Sequence, residues 1–162
     1  MAAPGSVIIR KRLRDRFRII HKIQHKDIVT SGIERAILYF HAIREYLKER
    51  KSRYQAIVAF SGEHEYAGVK VSEASLNEFP SGNIADEIQE DPYRFLICAD
   101  KFQTGYDEPL LTMYVDKQLS GIKAVQTLSR LNRAHPQKHV SPVLLGADLC
   151  TKGCQDGKVR KK

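Results

Sequence analysis

No apolar stretch in the 162-residue chain approaches the roughly 18–20 residues that cross a bilayer, and the charged N-terminal run is followed by no leader core or cleavage site. A membrane-embedded or exported protein is therefore not expected, and a cytoplasmic location is. Cysteine is scarce as well. Cys98, Cys150 and Cys154 are an odd number with no spacing that implies a disulfide framework, which fits a reducing compartment. His135-x3-His139 and Cys150-x3-Cys154 match the order and spacing of no common zinc module, and His21 with His25, one helical turn apart, is an equally poor pair of ligands. No metal site is predicted, and Cys98 is expected as a small core residue within an apolar run. Internal repeats and low-complexity segments are also missing.

What remains is enough for one ordinary domain. Hydrophobic residues make up 42% of the chain, so a core can form without disulfides or metals. Lys and Arg number 27 against 19 Asp and Glu, a formal charge of +8, which biases the surface toward polyanions and nucleic acid first among them. The excess gathers at the two ends, in Arg10, Lys11, Arg12, Arg14, Arg16 and Arg18, and in Lys158, Arg160, Lys161 and Lys162.

The periodicity predicts an alternation of strands and helices. Leu13, Phe17, Ile20 and Ile23 place a basic amphipathic helix over 10–25. A short strand over 27–30 ends at Ser31-Gly32, and Ile33, Ala36, Ile37, Phe40, Ile43 and Leu47 then repeat at the helical period for four turns. Compact apolar runs predict buried strands over 55–60, 94–99 and 111–115, with a less regular stretch, a short acidic helix over 83–90 and a longer helix over 121–133 between and after them. Strands separated by helices imply an α/β fold, a parallel sheet with helices on both faces. Three segments result: 1–26 as a basic helical lead, 27–145 as the folded lobe, and 146–162 as a polar, basic tail expected to be disordered.

In an open parallel sheet, ligands collect at the C-terminal ends of the strands, where loops lead into helix N-termini rich in free N–H groups. The distinctive residues fall there: Thr30-Ser31-Gly32, Ser61-Gly62, and the loop from Asp100 to Asp107. Each has a plain alternative, since Ser31 can cap a helix and Gly105 can turn the chain. The helix over 121–133 is more specific. At about 100° per residue, Gln126, Arg130 and Arg133 share one face, while Ala124, Leu128 and Leu131 form an apolar back and Ile122 stands apart at the start. No acidic residue lies three or four places from either arginine, so both guanidiniums are suited to an anion from outside the domain.

Ala99-Asp100-Lys101-Phe102-Gln103-Thr104-Gly105-Tyr106-Asp107-Glu108-Pro109 resembles motif V of superfamily 2 helicases, and Gln126-Thr127-Leu128-Ser129-Arg130-Leu131-Asn132-Arg133 resembles motif VI, in the family's order. The wording PLLTMYVDKQLSGIKAVQTLSRLNR, with AFSG and SEASLNEF upstream, resembles the R subunit of type I restriction enzymes over about residues 27 to 140. The resemblance implies a RecA-like second motor lobe that closes over ATP held by a first lobe. It implies that Arg133 is the arginine finger at the γ-phosphate, with Arg130 and Gln126 completing motif VI. Gly105 and Asp107 are then positions near the nucleotide and its ribose, and Ser31, Ser61 and Thr104 positions on the nucleic-acid backbone.

A phosphate loop is missing: Gly153 to Val159 comes nearest to G-x-x-x-x-G-K-[ST], but it is one residue short and ends in valine. A magnesium-binding acid motif and a nuclease carboxylate-lysine set are missing too. The resemblance therefore implies half of an ATPase, using ATP and Mg2+ only beside the first lobe and inactive as an enzyme alone. DNA, that lobe, a nuclease domain, and modification and specificity subunits are its implied partners. A non-catalytic nucleic-acid-binding module and an inactive remnant are the alternative readings. After Gln137-Lys138 the family continues into a strand, a slot that only Val143-Leu144-Leu145 fits.

Overall fold

A computed structural model describes residues 25–99, 101, 111–117, 119, 121–129 and 143–145. The basic lead from 1 to 24 and the tail from 146 onward lie outside the described residues. Strand β1 (His25–Thr30) is followed by helix α1 (Ile33–Glu49), strand β2 (Gln55–Ala59), the short strands β3 (His64–Tyr66) and β4 (Val69–Val71), and helix α2 (Glu73–Asn77). A 3-10 turn (Ser81–Asn83) leads into α3 (Ile84–Glu87), after which come β5 (Tyr93–Ala99), β6 (Leu111–Asp116), α4 (Gly121–Ser129) and β7 (Val143–Leu145).

Five of these strands form one sheet in the order β2-β5-β1-β6-β7, parallel at every junction. Strand β1 is central, bonded to β5 on one side and β6 on the other, so Lys26 to Thr30 have neighbours on both flanks. This explains two departures from the sequence expectation. His25 and Lys26, placed above in the helical lead, belong to β1: His25 pairs with Leu111, and Lys26 with both Phe95 and Thr112. Ladder pairing outweighs a helical pattern whose last apolar position is Ile23. Val143–Leu145 pairs with Met113, Tyr114 and Val115 and closes the far edge, the slot the sequence reserved for it.

The core lies on both faces of the sheet, divided by the two-residue alternation of the strands. Ile28, Ala56, Val58, Phe95, Ile97 and Tyr114 point to one face, where α1 covers them with Ala36, Ile37, Phe40, Ile43 and Leu47. Val29, Ile57, Ala59, Leu96, Cys98, Met113 and Val115 point to the other, against Ile84 and Ile88. Helices on both faces of a parallel sheet are the RecA-like α/β arrangement expected above. Glu34 in the first turn of α1 and Lys48 in the last suit the helix dipole. The helix stops in a Schellman turn: Ser52 N–H bonds the Leu47 carbonyl at 2.9 Å, Lys51 N–H bonds that of Lys48 at 3.0 Å, and Lys51 takes φ 51°.

The irregular stretch holds a hairpin. Its two-residue turn, Ala67-Gly68, has φ 53° and 78°, both in the left-handed region that a tight right-twisted hairpin needs. Three residues per strand are too few for an apolar alternation to show. Beyond it, α2 seals the outer edge of β2 by side chains. Asn77 accepts from Val58 N–H at 2.9 Å and donates to the Val58 carbonyl at 2.8 Å, while Glu73 accepts from Phe60 N–H at 2.5 Å. The match is geometric: two strand residues span roughly 6.6 Å and four helix residues roughly 6 Å, so residues i and i+4 of a helix stand in for a neighbouring strand. An edge so occupied cannot template pairing with another chain there.

Candidate functional site

Strands β1, β2, β5 and β6 all end at the same edge of the sheet, and each end is tied down by a side chain. Thr30, fully buried, sets its hydroxyl 3.1 Å from the Gly32 carbonyl and 3.2 Å from that of Cys98. Its single proton serves either acceptor, fixing the turn after β1 to the end of β5. Gly32 is the N-cap of α1, with no side chain capping the helix, so Ser31 does not cap it. Ser31 is exposed at the edge, as is Ser61 after β2, where Gly62 at φ 80° turns the chain. One strand, β5, stands between β1 and β2, which separates the two serines by roughly 10 Å along the edge.

Two buried carboxylates brace this edge. Asp116, the last residue of β6, accepts from Arg35 Nε at 2.6 Å and from Tyr39 Oη at 2.8 Å. Tyr39 is fully buried, and burial first, then Tyr114 and Asp116, pushes its hydroxyl far above the ordinary phenol range. It remains a proton donor at any physiological pH. Glu73, besides holding Phe60, meets the Lys101 ammonium at 2.6 Å just beyond the end of β5.

Helix α4 begins five residues after β6. Its Thr127 is fully buried and its Ala124 half-buried, whereas Gln126 is exposed together with Ile122 and Val125. Gln126 thus stands on the open side of the helix, as the spacing predicts, and Ile122, expected only to sit at the helix start, is exposed. The exposure of Val125, at 68%, was not foreseen. Arg130 and Arg133, and Thr104, Gly105 and Asp107, lie outside the described residues. Of the sequence-predicted set, the structure places Ser31 and Ser61 on one edge and Gln126 on an exposed helix face.

Sequence reasoning missed Arg35, Tyr39, Glu73, Asn77 and Asp116, and gave Lys101 no role beyond its place in the motif V-like stretch. Their only signals are local: an acidic residue closing an apolar run at Asp116, and Glu73 with Asn77 one helical turn apart. Among the described residues, no group of three His, Cys, Asp or Glu side chains is placed to hold a metal ion, and no helix is long and apolar enough to cross a membrane.

Comparison with known proteins bears on the same segments. The family described as type I restriction enzyme subunit R domain 3 matches residues 68–144, a span that includes β5, β6, α4 and both motif-like stretches. A protein of Methanocaldococcus jannaschii described as a type I restriction enzyme endonuclease subunit is 34% identical over 113 residues, covering 60% of this chain and 10% of that protein. The chain thus spans about a tenth of the length of this curated relative. On both similarities, the chain carries a region related to the R subunits of type I restriction enzymes.

Proposed function

We propose that this chain is the second motor lobe of an ATP-dependent DNA translocase of the type I restriction class. It works beside a first lobe that holds the phosphate loop and the magnesium-binding acid. The observation that carries the reading is Gln126, exposed on α4 while Thr127 beside it is buried, so that the first residue of the motif VI set is turned away from the core. By its spacing in the sequence, Arg133 belongs to the same set, and in this reading it is the arginine finger. A guanidinium added to the transferring phosphoryl group stabilises charge that exists mainly in the transition state, an effect of about 10³ to 10⁵ in rate. Arg130 and Gln126 orient it, and Gly105 and Asp107 face the nucleotide and its ribose.

Ser31 and Ser61 support the DNA half of the reading, with Thr104 as third contact. Exposed hydroxyls on one edge can hydrogen-bond successive backbone phosphates without reading bases, which suits a protein that must move along any sequence. The formal charge of +8 favours the same polyanion. Modification and specificity subunits, and a nuclease domain, complete the assembly in this reading.

The test is reconstitution. The chain alone should hydrolyse no ATP, and joined to a lobe with the phosphate loop it should give turnover that rises with duplex DNA. Steady hydrolysis by the rigorously purified chain alone, or none in the joined protein at any DNA concentration, would remove the reading.

A further inference from the structure

Ser31 is exposed at the edge where the parallel strands end, but a hydroxyl is a neutral donor, and a polyanion gains most from charge. The structure places a guanidinium at the same edge. Thr30, the residue before Ser31, lies in register with Asp116 on the neighbouring strand, and Asp116 holds Arg35 Nε at 2.6 Å. Neighbouring strands are roughly 4.8 Å apart, so the arginine, from the first turn of α1, reaches the end of the sheet where the Ser31 turn emerges.

As a stabiliser of the fold this pair is weak. The Arg35 side chain is 38% exposed against 3% for Asp116, and a pair with one half in water adds little. Tyr39 is fully buried, donates to the same carboxylate oxygen, and already joins α1 to the end of β6. What the bond does supply is orientation. It engages Nε, nearest the stem, and the two terminal nitrogens lie beyond it. A planar guanidinium fixed at its stem matches phosphate oxygens and loses less side-chain freedom on meeting them.

We propose that Arg35, held in place by Asp116, is a DNA-backbone phosphate contact of this lobe, supplying at the Ser31 turn the charge that a serine lacks. The inference rests on the DNA half of the proposed function and deepens it.

The test uses the whole 162-residue chain and a fluorescent duplex of arbitrary sequence, with affinity read between about 50 and 200 mM salt. Arg35→Ala should lower affinity about five- to tenfold near the middle of that range and reduce the slope of log affinity against log salt by about one. Arg35→Gln, which keeps a donor for Asp116, should lose as much. Arg35→Lys should keep the slope and lose less than about threefold, since it retains the charge without the planar fork. Arg44→Ala controls for net charge: Arg44 pairs with Glu78 and lies roughly 13 Å further along α1, beyond the screening length of about 8 Å, and its loss should change neither quantity. Equal losses in the Arg35 and Arg44 variants, or a folded Arg35→Gln chain that binds as the unaltered one does, would overturn the contact. Nucleotide carries phosphates too and is told apart by competition. ATP at matched ionic strength should not displace the duplex, and displacement that Arg35→Gln abolishes would assign the arginine to nucleotide and overturn the proposal. An unaltered chain that binds no duplex at low salt is a separate result, and removes the DNA half of the motor reading together with this inference.

Discussion

Arg35 and Asp116 meet at 2.6 Å across 81 residues of sequence, and Tyr39, one helical turn along α1, donates to the same carboxylate oxygen at 2.8 Å. The arrangement pins the first turns of α1 to the end of β6, and so fixes the Ser31 turn relative to the chain leading into α4. The three side chains are unequal. Asp116 and Tyr39 are buried, whereas the side chain of Arg35 is 38% exposed.

That inequality orders the effects of removing each. Asp116→Ala removes the near acceptor of a buried hydroxyl and the carboxylate that a cation meets, and should destabilise the fold by about 2–4 kcal/mol. Tyr39→Phe removes one hydrogen bond to a charged acceptor and should cost about 1–2 kcal/mol. Arg35→Ala loses a half-solvated pair and should cost about 1 kcal/mol or less. Urea denaturation of the three variants checks the order, and an Arg35→Ala loss equal to that of Asp116→Ala would contradict it.

The same cluster shows what the sequence could and could not disclose. Strands β1, β2, β5 and β6 and helix α1 were legible because their apolar residues repeat at two or 3.6 positions, and burial on both faces leaves the strands as continuous apolar runs. The expected strand over 111–115 stopped one residue early because Asp116 is charged, and what buries that charge is an arginine and a tyrosine far away in sequence. His25 and Lys26 were misplaced for a related reason. Both are polar, and their strand conformation is set by neighbouring strands, β6 for His25 and both β5 and β6 for Lys26, that no local window contains. Among the candidate site residues, Ser31 and Ser61 could be found because loops after parallel strands converge on one edge. Glu73 and Asn77 could not, since their task is to imitate a strand from a helix of five residues.

Lys26 gives a prediction in pH. The residue is buried, its ammonium 4.7 Å from the centre of the Phe95 ring, and burial, followed by repulsion from Arg94, lowers its pKa from 10.5 to about 8. Below pH 8 the lysine is charged in both folded and unfolded chains, and the folded state bears the whole penalty of holding that charge. Between pH 8 and 10.5 the folded chain has lost the proton while the unfolded chain keeps it, so stability rises with pH across this window. Lys26→Met keeps an apolar stem over Phe95 and has no proton to lose. It should stabilise the protein by about 1–3 kcal/mol at pH 7, an advantage that shrinks toward zero near pH 10.5. Thermal or urea unfolding at pH 7 and pH 10 tests this, and a variant with the same advantage at both would show that the charge is not the cause.

The last prediction concerns Arg133 and separates a motor lobe from a module that only binds nucleic acid. If the helix face carrying Gln126 closes over ATP held by the first lobe, Arg133→Ala in the joined protein should lower kcat by about 10³-fold or more, with little change in DNA affinity. The guanidinium meets charge that develops on the γ-phosphate as the bond breaks, so its loss raises the barrier far more than it weakens the ground state. Lysine should not rescue it, because a point charge on a flexible stem does not reproduce a planar fork of donors. A binding module requires the opposite pattern. There, Arg133 grips a backbone phosphate, and Arg133→Ala weakens DNA binding and reduces the slope of log affinity against log salt by about one. Turnover and salt-dependent DNA affinity measured on this one variant decide between them: turnover unchanged with the salt slope reduced leaves the arginine at the DNA and takes it away from ATP.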